Sequence, residues 1–269
     1  MASILNNNSF LSNNRHLAKS QSKLQQTLSR LSTGSRINRA SDDAAGLQIS
    51  NNLRADIRIN SQARQNASIG LGITNIADGA LSQATDLLTR AAEIATQSAS
   101  GTTSSAGRKA LDQEFQEIKS SLDSLGVNTK FDGQSLFGSS LDVRTGESTE
   151  QSVSINPGGL STGDLGLGGS GINTLADADT AISAITGAIE QLSAQRGSLG
   201  ASQSRLQSSI EAIEAQTEAI TAAESQIRDA DIAEEIVNLT KYQILGKTGI
   251  AASSQSRLQQ ESVLRLLQG

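Results

Sequence analysis

The sequence lacks several residue types on which common protein functions depend. Its 269 residues include no Cys, no Trp, one His and one Pro, and only 2% are aromatic. Without Cys there is no disulfide, thiolate metal site or thiol nucleophile. His16 has no second histidine with which to bind a metal, so we interpret it as an exposed or interface residue. Neither an enzymatic activity nor a cofactor is predicted.

Charge and hydropathy argue against two classes of partner. The formal net charge is -5, whereas a protein that binds nucleic acid needs a dense Lys/Arg surface. No run of about 18 apolar residues is present, so no transmembrane helix is expected. The first ten residues lack the basic segment and apolar run of a secretory signal. We therefore expect no nucleic-acid or membrane partner, and either retention in the cell or export without a cleaved signal peptide.

Heptad repeats at both ends of the chain predict long helices. A first helix is expected over residues 3–32, ending before Gly34, with a stripe formed by Leu17, Gln21, Leu24, Leu28 and Leu31. Spacings of three and four then run without a break from Ile182 to Ile227, with polar residues at Arg196, Gln203, Thr217 and Glu224. A final amphipathic segment, residues 231–269, has an apolar side comprising Ile236, Leu239, Ile244, Leu258, Val263 and Leu267.

A second helix is expected from about Ser41 to Ser98. Ser41 is a suitable N-cap, and Asp42 and Asp43 place negative charge in the first turn. These carboxylates favour capping over metal binding or acid–base chemistry, because adjacent helical residues do not face each other; contact with an Arg of a neighbouring subunit is the second interpretation. Spacings of four and three predict a helix seam formed by Ile69, Ile73, Ile76, Ala80, Gln83, Leu87, Arg90 and Ile94.

Glycines interrupt the second predicted helix and follow the third. Gly70, Gly72 and Gly79 indicate either close packing of helices or a local weakness, since a helical Gly costs about 1 kcal/mol. A third helix is expected to end at Gly126, with Leu111, Phe115, Ile118, Leu122 and Leu125 on one face.

The middle of the chain, residues 128–171, is rich in Gly and Ser. Alternating apolar residues predict a β-hairpin with strands near residues 141–145 and 152–155, and residues 158–171 are predicted to be a loop. The fold class is therefore mainly α: a long antiparallel helical bundle or coiled coil formed by the N- and C-terminal segments, with a small β-hairpin in the middle. Its terminal helices carry apolar stripes, which usually mark an interface.

Four ordered stretches carry a resemblance to a known family. They are residues 28–38 (LSRLSTGSRIN) with residues 41–50 (SDDAAGLQIS), residues 90–99 (RAAEIATQSA), residues 131–136 (FDGQSL), and residues 225–231 (SQIRDAD) with residues 241–245 (KYQIL). Together they resemble bacterial flagellin over nearly the whole chain, in a minimal form that has only the core domains.

The resemblance implies a structural subunit that polymerises into the extracellular flagellar filament for motility. It implies an inner core domain, residues 1–40 with 229–269, and an outer core domain, residues 41–228, with the hairpin region near 128–171. It also implies contacts with the filament cap, the hook–filament junction proteins and an export chaperone. The alternatives are a hook–filament junction protein and a non-polymerising coiled-coil scaffold.

The resemblance also suggests which residues form sites. The signature or subunit-interface residues are Leu31, Arg36, Asn38, Asp42, Asp43, Gly46, Leu47, Asp229, Asp231 and Leu245. A contact with a flagellin-sensing Toll-like receptor would involve Arg90, Ile94 and Glu114. From the residues alone, Arg90 and Glu93 are equally consistent with a solvated helix face and with a filament contact.

Overall fold

The computed structural model describes residues 8–148 and 150–268, and it describes side chains for residues 11–148 and 150–258 and for Glu261. Five helices make up most of this described part. The helices are α1 (Asn8–Thr33), α2 (Ala44–Ser98), α3 (Ser105–Asn128), α4 (Leu175–Arg228) and α5 (Ile232–Gln268). Residues 3–7 of the expected first helix, and the side chains of Val263 and Leu267, lie outside the described part. The mainly helical fold class is confirmed.

Two antiparallel hairpins follow α3. Strands β1 (Lys130–Phe131) and β2 (Gln134–Ser135) form the first, and β3 (Leu141–Arg144) and β4 (Ser152–Ile155) form the second, with Val143 opposite Val153. The second hairpin was predicted. The first was not, although its turn residues have positive φ, 50° at Asp132 and 79° at Gly133, and an Asp-Gly pair is typical of such tight turns.

The chain forms two compact units. The terminal unit comprises Met1–Ala55 and Ala219–Gly269, and the central unit comprises Asp56–Glu218. The domain division predicted at residues 40 and 229 stays a prediction.

The core of the central unit contains a different stripe of α2 from the one predicted. Ile73, Ala80 and Ile94 are buried as expected, but Ile69, Ile76, Gln83 and Arg90 are exposed. The buried positions are mostly alanines and leucines: Ala63, Ala67, Ala77, Leu81, Ala84, Leu88, Ala91 and Ala95. The prediction was wrong because it followed the larger isoleucines, whereas small side chains let the neighbouring elements pack close to α2.

Helix α4 confirms its predicted heptad pattern in the central unit. Its buried large residues recur every seven positions, at Ile185, Leu192, Leu199, Leu206 and Ile213. Polar positions in the repeat bind partners on α2. Arg196 Nε lies 2.8 Å from Asp78 Oδ1, and Gln203 Nε2 donates to Asn75 Oδ1 at 3.1 Å.

The predicted loop, residues 158–171, is packed against α3. Leu160, Leu165 and Leu167 are buried. Asp123 accepts hydrogen bonds from the Thr162 amide and hydroxyl at 2.7 and 3.0 Å, and Lys119 Nζ donates to the Ser170 carbonyl at 2.9 Å. A loop without regular structure thus contributes apolar side chains to the core.

Gly70 and Gly126 lie where another element packs closely, whereas Gly72 and Gly79 face open space. A Cβ on Gly70 would lie 3.0 Å from Val143, and one on Gly126 would lie 3.4 Å from the Leu160 carbonyl oxygen. Apart from the adjacent backbone of α2 itself, no described atom lies within 4 Å of a Cβ built on Gly72 or Gly79. Gly126 was expected to end α3, but the helix continues to Asn128, so Gly126 serves close packing.

Among the described helices none is long and apolar enough to cross a membrane. No cluster of three or more His, Cys, Asp or Glu suited to a metal ion occurs in the described part of the chain.

Candidate subunit interface

Two connections lie in the terminal unit: residues 34–43 join α1 to α2, and residues 229–231 join α4 to α5. Gly34, with φ 67°, ends α1 as predicted. The segment after it pairs with the end of α4: the Arg36 amide donates to the Arg228 carbonyl at 2.6 Å, and the Ala230 amide donates to the Gly34 carbonyl at 3.0 Å. Arg36 Nη2 also donates to the Ile227 carbonyl at 2.8 Å. Backbone groups left open at both helix ends are therefore satisfied across the two connections.

Aspartates begin the helices that follow these connections. Asp43 Oδ1 accepts from the Gly46 amide at 2.9 Å, and Asp231 Oδ1 accepts from the Ala233 amide at 2.8 Å. Both are N-caps, which stabilise a helix by accepting from its first free amides. The prediction of Ser41 as the N-cap of α2 was wrong, because the chain is still in a turn there and α2 begins at Ala44.

Asp42 stabilises the turn that precedes α2. Its Oδ2 accepts from the amides of Arg39 at 3.0 Å and Asn38 at 3.2 Å. The hydrogen bond from Arg39 holds the pKa of Asp42 below its ordinary value of 3.8, and the Asn38 amide and the charges of Arg30 and Arg39 act in the same direction. A carboxylate that accepts amide protons is stabilised in its charged form.

Ile37 is the buried apolar residue of this junction, with 2% exposure. A Cβ on Gly46 would lie 2.7 Å from Ile37 Cδ1 and 2.5 Å from Asp43 Oδ2. Gly46 therefore leaves room for both the cap and the packed isoleucine. Sequence reasoning missed Ile37, although an isolated isoleucine in a polar connection was the available signal.

The structure brings most of the predicted signature residues together at this junction. Arg36, Asn38, Asp42, Asp43, Gly46, Asp229 and Asp231 all lie in or beside the two connections. Leu31 and Leu47 are half-buried on α1 and α2, and Leu245 lies apart, exposed on α5. Their role in contacts between subunits is untested by this geometry, which shows hydrogen bonds within one chain.

Helices α1 and α5 pack antiparallel. Arg30 Nη1 lies 3.1 Å from Glu235 Oε1, and a Cβ on Gly249 would lie 3.2 Å from Leu17 Cδ1. The half-buried or buried side of α1 comprises Leu17, Ser20, Leu24, Thr27 and Leu31. Gln21 and Leu28 were predicted to belong to this stripe but are exposed. The residues that face α5 follow alternating spacings of three and four that include Ser20 and Thr27 instead.

Helix α5 exposes most of its described large apolar residues, and Leu239 and Tyr242 are the half-buried exceptions. Its half-buried or buried side comprises Glu235, Leu239, Tyr242, Gly246, Gly249, Ser253 and Ser256. We call the opposite, exposed set the outer apolar side of α5: Ile232, Ile236, Val237, Ile244, Leu245, Ile250 and Leu258. Helical spacing puts this set across roughly half of the helix circumference. A clustered set of this kind, unlike scattered apolar residues, usually marks an interaction surface.

The terminal unit contains little apolar core. Within its described side chains, Ile37 is the only hydrophobic residue that is fully buried, and the rest of the buried hydrophobic residues belong to the central unit. Leu11 and Leu28 on α1 and Ile49 on α2 are exposed as well. Polar contacts dominate elsewhere: Glu224 Oε1 accepts from Ser50 Oγ at 3.2 Å and lies 3.5 Å from Arg54 Nε. Sequence reasoning named Glu224 but not these partners.

The candidate receptor residues lie in the central unit. Arg90 Nη2 is 2.8 Å from Glu114 Oε1, and Arg90 Nη1 is 3.0 Å from Glu93 Oε2. The side chains of Arg90 and Glu114 are 56% and 45% exposed. Ile94, by contrast, is 1% exposed and belongs to the core. Its part in a receptor contact stays a prediction, and its burial gives that contact no support in the isolated chain.

Family models match both ends of the chain. The bacterial flagellin N-terminal helical region matches residues 4–141, and the bacterial flagellin C-terminal helical region matches residues 182–267. The chain belongs to the bacterial flagellin family. The matched regions contain α1–α3 and β1 to β2 at one end, and nearly all of α4 and α5 at the other.

Full-length relatives of this flagellin are similar across almost all of it. The flagellar filament 30.7 kDa core protein of Treponema maltophilum is 32% identical over 98% of this chain and 99% of that protein. Flagellins of Halalkalibacterium halodurans and Bacillus subtilis are 34% and 33% identical over 90% and 93% of this chain, and over 91% and 95% of their own lengths.

A solved structure supports the fold. The crystal structure of Bacillus cereus flagellin superimposes with a TM-score of 0.51 at 23% identity, covering 60% of this chain and 94% of that one. This flagellin is a structural subunit of the extracellular flagellar filament. The alternatives of a junction protein or a closed coiled-coil scaffold are not favoured.

Proposed function

We propose that this flagellin polymerises through the outer apolar side of α5 together with exposed Leu11 and Leu28 of α1. The supporting observation is the imbalance in the terminal unit, where large apolar side chains are exposed and Ile37 alone is fully buried among those described. Removing apolar surface from water is the main favourable term in association. Neighbouring copies would supply the burial that α1 and α5 do not give each other.

The arrangement favours an open polymer. A contact between two different surfaces of identical copies repeats indefinitely when its rotation does not close. The outer apolar side of α5 is displayed beside a differently composed α1, so successive copies have unlike surfaces to join. In this proposal, the hydrogen-bonded junction at Arg36, Asp42 and Asp231 positions α1 and α5, and Leu245 makes direct contact between subunits.

Lysine substitution tests this interface. Ile236 and Ile244 are 50% and 56% exposed, so Ile236→Lys and Ile244→Lys should leave the isolated chain folded. Complete burial of an isoleucine side chain contributes roughly 1.5–3 kcal/mol. Because each side chain is about half exposed in the isolated chain, about half of that free energy can still be gained on association. We expect each variant to raise the critical concentration for polymerisation by about three- to tenfold, measured by sedimentation and electron microscopy.

The matched control for the lysine variants is Gln113→Lys, because Gln113 is an exposed polar residue on α3, outside the outer apolar side of α5. It should change the critical concentration by less than about twofold. Normal filaments from both isoleucine variants at the parent concentration would show that another surface joins the subunits.

Export and assembly partners are proposed from family membership. We propose that the chain leaves the cell without a cleaved signal peptide, with a chaperone bound to α5, and assembles beneath a cap after the junction proteins. The exposed apolar residues of α5 support chaperone binding, because they need shielding before assembly. Mass spectrometry of filament protein would detect an intact N terminus, and a cleaved leader would contradict the export route. Co-purification tests the chaperone, and loss of the complex is expected when Ile236 and Ile244 are replaced.

A receptor contact is also proposed, centred on the exposed pair Arg90 and Glu114. Charged side chains at an interface contribute to specificity when their partners are complementary. Arg90→Ala should lower activation of a flagellin-sensing Toll-like receptor in a reporter assay without changing the helical signal. Equal activation by the parent and the variant would remove this proposal. The enzymatic alternative has no support, since flagellins are a structural family.

A further inference from the structure

The α1–α5 interface contains little that would distinguish one heptad from the next. The α1-facing side of α5 changes from Leu239 and Tyr242 to Gly246, Gly249, Ser253 and Ser256. Small and polar residues give weak preference for any single alignment, and a shift by seven residues preserves the heptad pattern. Such a shift would displace the helices by about 10 Å along their axes.

Two contacts distinguish the observed alignment from its neighbours. The first is the ion pair of Arg30 and Glu235, at 3.1 Å, with the two side chains 33% and 9% exposed. The buried Oε2 of Glu235 has no hydrogen-bond partner among the described residues. A buried carboxylate depends strongly on its cation, so an alignment that removes Arg30 is heavily disfavoured.

The second contact is the packing of Leu17 against Gly249. A Cβ at position 249 would approach Leu17 Cδ1 to 3.2 Å, so the bare backbone of glycine provides the space that the leucine side chain occupies. Three residues earlier, Gly246 has no described atom within 4 Å of a Cβ. Of the two glycines on α5, Gly249 alone makes this close approach to α1.

The two contacts exclude opposite shifts. Moving the helices by one heptad in one direction places Glu235 beyond Thr33, the last residue of α1, where no helical cation opposes it. Moving them by one heptad in the other direction brings Lys23 opposite Glu235. That shift also moves Leu17 from Gly249 onto Tyr242, which fills the space that glycine leaves open.

We propose that the Arg30–Glu235 pair and the Leu17–Gly249 contact together determine the register of α1 against α5. They are specificity-determining residues, because the register sets how exposed Leu28 and the outer apolar side of α5 are presented to the next copy. Only the effect of the register on contacts with the next copy rests on the proposed function. Identical presentation in every subunit is a requirement of a regular helical polymer.

Engineered disulfides read the register directly, since the parent has no Cys. Counting ten residues inward from Leu17 and from Gly249 places Thr27 opposite Leu239. Thr27→Cys with Leu239→Cys therefore reports the observed register. Ser20→Cys with Leu239→Cys and Ser20→Cys with Ser253→Cys report the two shifts of one heptad. Cross-linking is followed in the full chain before and after polymerisation by salt.

The parent sequence should cross-link efficiently only through Thr27→Cys and Leu239→Cys. Adding Glu235→Leu and Gly249→Leu should increase cross-linking of a shifted pair by at least about tenfold. The matched control is Glu234→Leu with Gly246→Leu, which alters the exposed neighbour of Glu235 and the glycine without a neighbour. This control should keep the parent pattern.

Two outcomes would overturn the register proposal. One is unchanged cross-linking in the variant with Glu235→Leu and Gly249→Leu. The other is loss of all cross-links in that variant, which would mean that these residues support pairing in general and do not select an alignment. Failure of the cysteine-free parent to form filaments would instead contradict the proposed function. In that case the double-cysteine variants would still report the register of α1 against α5.

Discussion

At the scale of single residues, the junctions of the terminal unit combine capping with packing. Gly46 lies where a side chain would meet both Ile37 and the capping carboxylate of Asp43. Asp42 accepts two amide protons from the turn before α2. Acidic residues at this helix start were predicted from the capping pattern, whereas Gly46 was named only through the resemblance. The division of labour between Asp42 and Asp43 was not predictable, because it depends on where the turn ends.

Gly46→Ala should destabilise the start of α2. An alanine normally stabilises a helix relative to glycine by about 0.5–1 kcal/mol, but here its Cβ displaces Asp43, and loss of an N-cap costs about 1 kcal/mol. Hydrogen exchange of residues 44–50 should accelerate.

Gly79→Ala is the control for Gly46→Ala, because no described atom lies within 4 Å of a Cβ there. It should slightly raise the midpoint of thermal unfolding by circular dichroism. Equal protection in the parent and Gly46→Ala would contradict the steric argument.

Asp42 should make the junction sensitive to acid. Its pKa is lowered in the folded state, so its stabilising contribution is present above its unfolded pKa near 4 and is lost as the pH falls through the lower, folded value. The Asp42 carboxyl resonance should titrate below 3.8, together with the Asn38 and Arg39 amides. In Asp42→Asn these amide shifts should not titrate with that midpoint. A midpoint at or above 3.8 would contradict the hydrogen-bond account.

At the scale of elements, the large-residue heptads of α4 were predictable and the packing of α2 was not. Ile185, Leu192 and Leu199 are apolar members of an unbroken repeat and are buried. On α2, exposed Ile69 and Ile76 compete in the pattern with alanines, and the sequence alone does not say which stripe faces the core. The inward packing of residues 158–171 was missed for a similar reason, since Gly-rich composition conceals three buried leucines.

Leu192→Ala should destabilise the central unit by about 2–5 kcal/mol, because it removes a fully buried side chain from the core and leaves a cavity. Its measurement is urea unfolding followed by the helical circular dichroism signal. The exposed neighbour Ser193→Ala should change the free energy of unfolding by less than about 0.5 kcal/mol. A similar small change for Leu192→Ala would contradict the assignment of α4 to the core.

At the scale of the whole molecule, apolar burial is divided unequally between the two units. The central unit contains the contiguous core, and the terminal unit contains polar junctions and exposed aliphatic side chains. Segments with few buried apolar contacts open locally at low free-energy cost. The two units should therefore differ in resistance to proteolysis even though both are built from long helices.

Trypsin should cleave the monomer first within α1 and α5, at sites such as Lys19 and Lys247. Residues 56–218 should survive longer, and polymerisation should protect the terminal sites, because neighbouring subunits would cover them. A digestion time course read by mass spectrometry measures this order. Equal rates in both units, or no protection in filaments, would contradict the division of burial.

The aliphatic character of the outer side of α5 has a thermal consequence. Association through Ile, Val and Leu side chains is driven near room temperature by the entropy of released water and lowers the heat capacity. Such association weakens on cooling. Filaments of this flagellin should therefore shed subunits when chilled and regain them on gentle warming, unlike polymers held together mainly by ion pairs.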